Sequence, residues 1–166
     1  MNELISIFES VRDIPYKIPL KWGERDDCCS GKADRLFKTL KAKGFDVRYR
    51  VCVFYWNSLK LPKKIEQISH DNDCTHTYLE LKLNGMWKIL DATWDRNLAK
   101  RFYVNNWDGK SDTRIAVKPI KIFTPNKSLR IVKNQDKKLI EGDLKINGNF
   151  YDAFNDYLAE IRKTYK

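Results

Sequence analysis

The chain has 166 residues, 42% of them hydrophobic and 13% aromatic, which suits one domain with its own core and excludes a disordered composition. Its net charge is +10, unevenly spread: residues 1–95 carry 16 basic and 14 acidic side chains, residues 96–166 carry 16 and 8. No run of ~18 apolar residues exists to span a membrane as a helix, and Met1-Asn2-Glu3-Leu4 does not open a basic-then-apolar leader, so a cytoplasmic protein is expected.

Residues 3–12 read as a helix, with Leu4, Ile5, Phe8 and Val11 on one face and Pro15 beyond its end. Residues 14–27 read as a loop punctuated by Pro15, Pro19 and Gly23. A second helix is expected from about Cys29 to Lys43, with an apolar stripe of Ala33, Leu36, Phe37 and Leu40. Asp26 or Asp27 would cap its start and Gly44 its end, while Gly31 weakens its first turn.

Residues 47–56 are rich in β-branched and aromatic side chains and read as a strand, followed by a polar loop of about 15 residues. Asn84-Gly85 suits a two-residue type I′ turn between strands 75–83 and 86–93. Segments 115–123 and 128–133 read as further strands, and 150–162 as a closing amphipathic helix capped by Asn149. The expected class is α+β with an antiparallel sheet, as one domain over residues 1–166.

The hairpin register brings chemistry together. With Leu83 opposite Met86, Tyr78 faces Asp91 and His76 faces Thr93, so His76 and Asp91 share a sheet face as diagonal neighbours. Leu79, Leu81, Leu83, Met86 and Leu90 take the other face as core. Cys29 falls at a helix start, where the dipole and free N–H groups favour a thiolate and could hold an oxyanion. A nucleophile, a histidine base and an orienting carboxylate make a triad for attack on a carbonyl. Cys28 is the alternative nucleophile, or a resolving thiol. The four cysteines, Cys28, Cys29, Cys52 and Cys74, are expected as free thiols.

Three motifs carry a resemblance. Cys29-Ser-Gly-Lys-Ala33, followed by Gly44 and Phe45-Asp-Val-Arg48, His76-Thr-Tyr-Leu-Glu-Leu81, and Gly85-Met-Trp-Lys-Ile-Leu-Asp91-Ala-Thr-Trp-Asp95 follow one another in order, with Val11-Arg-Asp-Ile-Pro-Tyr16 upstream. Together they resemble the transglutaminase-like superfamily, with its papain-like cysteine-hydrolase fold, over about residues 4–95; residues 96–166 match no motif of it. The resemblance implies that the nucleophile starts a central helix packed on an antiparallel sheet. It selects Cys29, four residues before Ala33, as nucleophile, with His76 as base and Asp91 as its orienter. It also implies that the Cys29 N–H serves the oxyanion hole, with Tyr16 or Trp22 as candidate second donors.

The function so implied is a cysteine hydrolase or transamidase acting on amide bonds of peptides or proteins, protease-like; acyl transfer from a thioester ranks below it. No cofactor is expected. A metal reading of His70, Cys74 and His76 offers only a Cys-x-His fragment, without the paired spacing of a structural zinc site. The expected partner is a peptide or protein substrate of a monomer, with no membrane. The competing reading is a non-catalytic binding module whose basic C-terminal half meets nucleic acid or an acidic partner, although no nucleic-acid-binding motif accompanies the charge.

Overall fold

The computed structural model describes residues 2–164. The elements are α1 (Asn2–Arg12), α2 (Cys29–Ala42), β1 (Val47–Tyr55), the single turn α3 (Lys63–Glu66), β2 (Asp73–Leu83), β3 (Met86–Leu90), β4 (Lys121–Ile122), α4 (Pro125–Lys133) and α5 (Lys137–Lys163), with 3-10 turns at Trp56–Leu59 and Arg96–Leu98. The sheet is antiparallel throughout, in the order β3-β2-β1-β4, so the fold is α+β. Among the described residues no helix is long and apolar enough to cross a membrane.

Helix α2 ends as its sequence requires. Gly44 takes a φ of +82°, and the Phe45 N–H returns to the Leu40 carbonyl at 3.1 Å, a Schellman closure that turns the chain into β1. Its start differs from expectation. Cys28 is the capping residue; its side chain takes no helix N–H, and its sulfur meets the Ser30 hydroxyl at 3.2 Å. Asp26 instead accepts the Cys28 N–H (2.8 Å) and the Ser30 hydroxyl (3.0 Å), fastening the loop beneath the first turn.

The β2–β3 hairpin has the expected register, Leu83 opposite Met86, with Asn84 and Gly85 both at positive φ as a type I′ turn requires. The ladder stops at Leu79–Leu90, short of the expected residue 93. Beyond it the Asp91 N–H leaves β2 for the Thr113 hydroxyl at 2.8 Å. Leu79, Leu81 and Leu90 are buried as expected, whereas Met86 at the turn is exposed.

The C-terminal half departs most from the sequence reading. Of the expected strand 115–123 only Lys121–Ile122 is regular. Residues 128–133 are helical: Thr124 caps α4 by accepting the Lys127 N–H, and Pro125 sits in its first turn, where a missing N–H costs nothing. This start signal outweighs the β-branched Ile131-Val132. The last helix begins at Lys137, because Asp136 accepts the Leu139 N–H, and it runs through Asn149, which is interior and not a cap.

The sheet separates two cores. One packs Phe8, Val11, Ala33, Leu36 and Leu40 of α1 and α2 against Val47, Tyr49, Leu79, Leu81 and Leu90. The other packs Phe150, Tyr151, Phe154 and Leu158 of α5 with Cys52, Phe54, Trp56, Tyr78, Trp94 and Tyr16. Cys28 and Cys29, at the start of α2, reach this second core although the body of their helix lies in the first. His76 pairs with Cys52 across the β2–β1 ladder, so the period of two places it on the second-core side. The two sequence-distant groups therefore face the same side of the sheet, where the helix start passes it.

Gly31 lets the Asp26 loop press against the first turn of α2. A Cβ there would lie 2.0 Å from the Asp26 carbonyl oxygen and 2.6 Å from its carbon, whereas Gly142 and Gly148 in α5 face open space. Gly31→Ala is expected to destabilise the protein by about 2 kcal/mol or more in urea unfolding despite its better helix propensity, while Gly148→Ala gains about 0.5–1 kcal/mol. Equal effects of the two substitutions would contradict the close approach.

Candidate active site

Asp91 follows the last residue of β3 and is 1% exposed. A buried carboxylate needs partners for both oxygens. Oδ2 accepts from His76 Nε2 at 2.7 Å and from the Ala116 N–H at 2.8 Å, and Oδ1 accepts the Thr93 N–H at 3.0 Å. Burial alone would raise this carboxyl. The His76 charge and hydrogen bond, with those from Thr93 and Ala116, outweigh it and hold the group below the usual carboxylate range.

Asp91 in turn fixes the imidazole. An ionised carboxylate only accepts, so Nε2 is the donor and Nδ1 is the basic nitrogen of the neutral ring. His76 is 2% exposed and lies in a wall of a cavity of about 180 Å³. Cys29, partly buried at the first position of α2, lines the same cavity, with Cys28, Tyr16, Thr93 and Trp94. Of the three expected triad residues, His76 and Asp91 are in direct contact, and His76 and Cys29 line one cavity, with Asp91 buried behind the imidazole.

Of the expected oxyanion-hole candidates, Tyr16 lines the cavity and Trp22 does not; Trp22 is 45% exposed on the surface. Tyr16 is 5% exposed, stacked obliquely on Trp94 at 4.9 Å. Burial is the main cause that holds its hydroxyl well above the ordinary value, with acidic neighbours adding to it, so it stays protonated and able to donate. Among the described residues it has no acceptor. Its backbone is clamped: the Tyr16 N–H donates to buried Asp95 at 3.0 Å, and Arg162 of α5 donates both to the Tyr16 carbonyl (2.9 Å) and to Asp95 (2.7 Å).

All four cysteines are free. Burial pushes Cys52 and Cys74 up to about 12. Cys28 is raised well above its ordinary value, first by neighbouring Cys29 and then by burial, and its sulfur meets the Ser30 hydroxyl at 3.2 Å. Among the described residues no three His, Cys, Asp or Glu side chains gather to hold a metal ion. His70 is stacked on Phe150 at 3.8 Å with Nδ1 on the Ile68 carbonyl, so it serves the packing of α5.

Three groups that support the site carried no motif signal. Asn105 donates to the Asp91 and Arg114 carbonyls (2.9 and 2.8 Å) and accepts the Arg114 N–H, tying the Asp91 segment to 114–116. Thr113 takes the Asp91 N–H. Lys32, one turn after Cys29 and 1% exposed, donates to the carbonyls of Arg12 (2.7 Å), Ile14 (2.9 Å) and Thr93 (2.7 Å). A lysine on a helix usually points to water, and only its place between Cys29 and Ala33 could have marked it. Its three bonds link helix α2, the loop leading to Tyr16 and the segment after Asp91.

Burial pulls the Lys32 ammonium down to about 7, against the attraction of Asp95 and Asp91. Between pH 7 and 10.5 the unfolded chain then binds the proton that the folded chain has released, so this residue adds stability as pH rises through that window. Lys32→Met leaves three carbonyls unpaired and is expected to cost roughly 2–4 kcal/mol at pH 7. In urea unfolding the gap to the unsubstituted protein should widen by about 2 kcal/mol at pH 9. A gap that is unchanged or narrower would contradict the assigned direction.

Comparison with protein-family models, with curated proteins and with solved structures finds no match to this chain.

Proposed function

We propose that the chain is a cysteine hydrolase of transglutaminase-like type, attacking amide carbonyls of peptides or proteins through Cys29, His76 and Asp91. The carrying observation is the buried 2.7 Å bond from His76 Nε2 to Asp91 on the wall of the cavity that Cys29 lines. An imidazole oriented by a carboxylate beside a thiol at a helix start supports proton removal from sulfur. The order of elements, a helix opened by cysteine, a strand bearing histidine and an aspartate closing the next strand, agrees with the motif resemblance.

In this reading Nδ1 of His76 takes the Cys29 proton, and the thiolate attacks the amide carbon. The developing oxyanion meets the Cys29 N–H, free in the first helical turn, and the Tyr16 hydroxyl. The imidazolium, held by Asp91, then protonates the departing amine. A water activated by the same ring cleaves the thioester, and an amine in its place gives transamidation. Trp94, Phe54 and Trp56 wall the cavity with apolar surface that strengthens these polar contacts. Cys28 acts as a protonated neighbour rather than as nucleophile. Four free thiols suit a reducing compartment, and we place the protein in the cytoplasm.

The test is turnover of a mixed peptide library, read by mass spectrometry for new termini, deamidation or crosslinks. Products are expected from the unsubstituted protein and from Cys28→Ala, while Cys29→Ala and His76→Ala lose more than about 1000-fold in rate. No products from the unsubstituted protein, or the same products from Cys29→Ala, would overturn the reading.

A further inference from the structure

The charge on the cavity wall is the opposite of the charge on the chain. The protein carries 32 Lys and Arg, yet among the described residues none lines the cavity, while two carboxylates, Asp26 and Asp143, do. Beside the thiols, His76 and a few neutral polar side chains such as Thr93 and Gln135, much of the wall is aromatic and aliphatic, including Phe54, Trp56, Trp94 and Tyr151. Aromatic faces beside a carboxylate favour cations, through the ring quadrupole and by direct attraction.

The two carboxylates differ. Asp26 is committed to its own loop, one oxygen accepting the Cys28 N–H and the other the Ser30 hydroxyl. Asp143, on α5 at the cavity mouth, receives both of its hydrogen bonds on Oδ1, from Asn147 Nδ2 (2.7 Å) and from the Tyr151 hydroxyl (3.2 Å). Asn147 is buried and is itself fixed by the Asp71 N–H at 2.9 Å on its own oxygen. The carboxylate is therefore held in one orientation by a rigid support, with Oδ2 unoccupied by any described residue. Among the described residues it meets no Lys, Arg or His within 4 Å, its bonds coming from the neutral Asn147 and Tyr151 alone. A carboxylate oriented through one oxygen, without a cationic partner and lining a cavity rich in aromatic surface, is suited to serve as a counter-ion.

We propose that the cavity selects substrates carrying an ammonium or guanidinium group next to an apolar segment, with Asp143 as the counter-ion. This rests on the reading of Cys29 as the reacting thiol and adds a substrate class to it: peptide amides with a basic side chain near the bond attacked, in preference to acidic ones. Because Asp143 stands at the mouth in partial contact with water, its effect on selection is moderate, of the order of three- to tenfold.

Charged thiol reagents read this preference without requiring turnover. Trimethylammonioethyl methanethiosulfonate and sulfonatoethyl methanethiosulfonate both form a mixed disulfide with a thiolate and release methanesulfinate. Their rates at Cys29, followed by peptide mapping, give a cation-to-anion ratio, which is normalised to the ratio for N-acetylcysteine. The expected normalised ratio is above about five, falling at least threefold in Asp143→Asn, whose side chain keeps the Oδ1 acceptor, and unchanged in Glu141→Gln. Glu141 pairs with Lys137 on the same helix, outside the cavity. A normalised ratio near one, or a ratio that Asp143→Asn leaves unchanged, would overturn the proposal. A charge preference at Cys29 in a protein that converts no peptide would instead retain the cation site and remove the hydrolase.

Discussion

The site depends on one constraint: a carboxylate taken out of water has to be hydrogen-bonded on every side. Asp91 meets it with an imidazole, two backbone N–H groups and no solvent. Removing one partner from such a group leaves an uncompensated charge, a penalty of roughly 3–5 kcal/mol, so each partner must be brought to its place. Thr93 arrives because the chain leaves the β-ladder at Leu90, Ala116 because Asn105 and Thr113 hold the following segment against Asp91, and His76 because the hairpin register faces it toward the same core. The geometry that orients the His76 imidazole is thus also the geometry that satisfies the buried charge. In the proposed function, arrangement for catalysis and local stability would be two consequences of the same bonds.

The second half of the chain belongs to the site as much as the first. Ala116 touches the Asp91 carboxylate, and Arg162, near the end of α5, holds the Tyr16 carbonyl and Asp95 together. Tyr151 and Leu144 of α5 complete the cavity wall. Helix α4 closes the outer edge of the sheet: buried Ser128 takes the Val51 N–H at 2.9 Å, and the Phe123 N–H takes the Val51 carbonyl at 2.9 Å. These segments carry no recognisable motif because they act through backbone groups and packing, which many sequences can supply.

Legibility followed the range of the interactions. The hairpin register was readable because Asn84-Gly85 fixes a two-residue turn and the strand period does the rest. From that register alone His76 and Asp91 fall on one face. Helix α2 was readable from its apolar stripe and Gly44, and Gly31, which looked like a weakness in it, turns out to be required by the Asp26 carbonyl pressed against the first turn. The errors came where local signals conflict. Residues 128–133 suggested a strand, while Thr124-Pro125 marks a helix start; Asn149 suggested a cap at a point where packing of Phe150, Tyr151, Phe154 and Leu158 carries the helix through. Trp22 resembled a donor by position but lies on the surface, and nothing in the spacing of Lys32 announces that its ammonium is buried under three carbonyls.

Imidazole assistance to one thiol among four is the central claim, and site-resolved alkylation measures it most directly. With iodoacetamide at pH 7 and peptide mapping of each cysteine, Cys29 should react fastest, and His76→Ala should slow Cys29 by about tenfold or more while leaving Cys28 and Cys74 at their slow rates. A Cys29 rate that is indifferent to the loss of His76, or Cys28 reacting first, would contradict it.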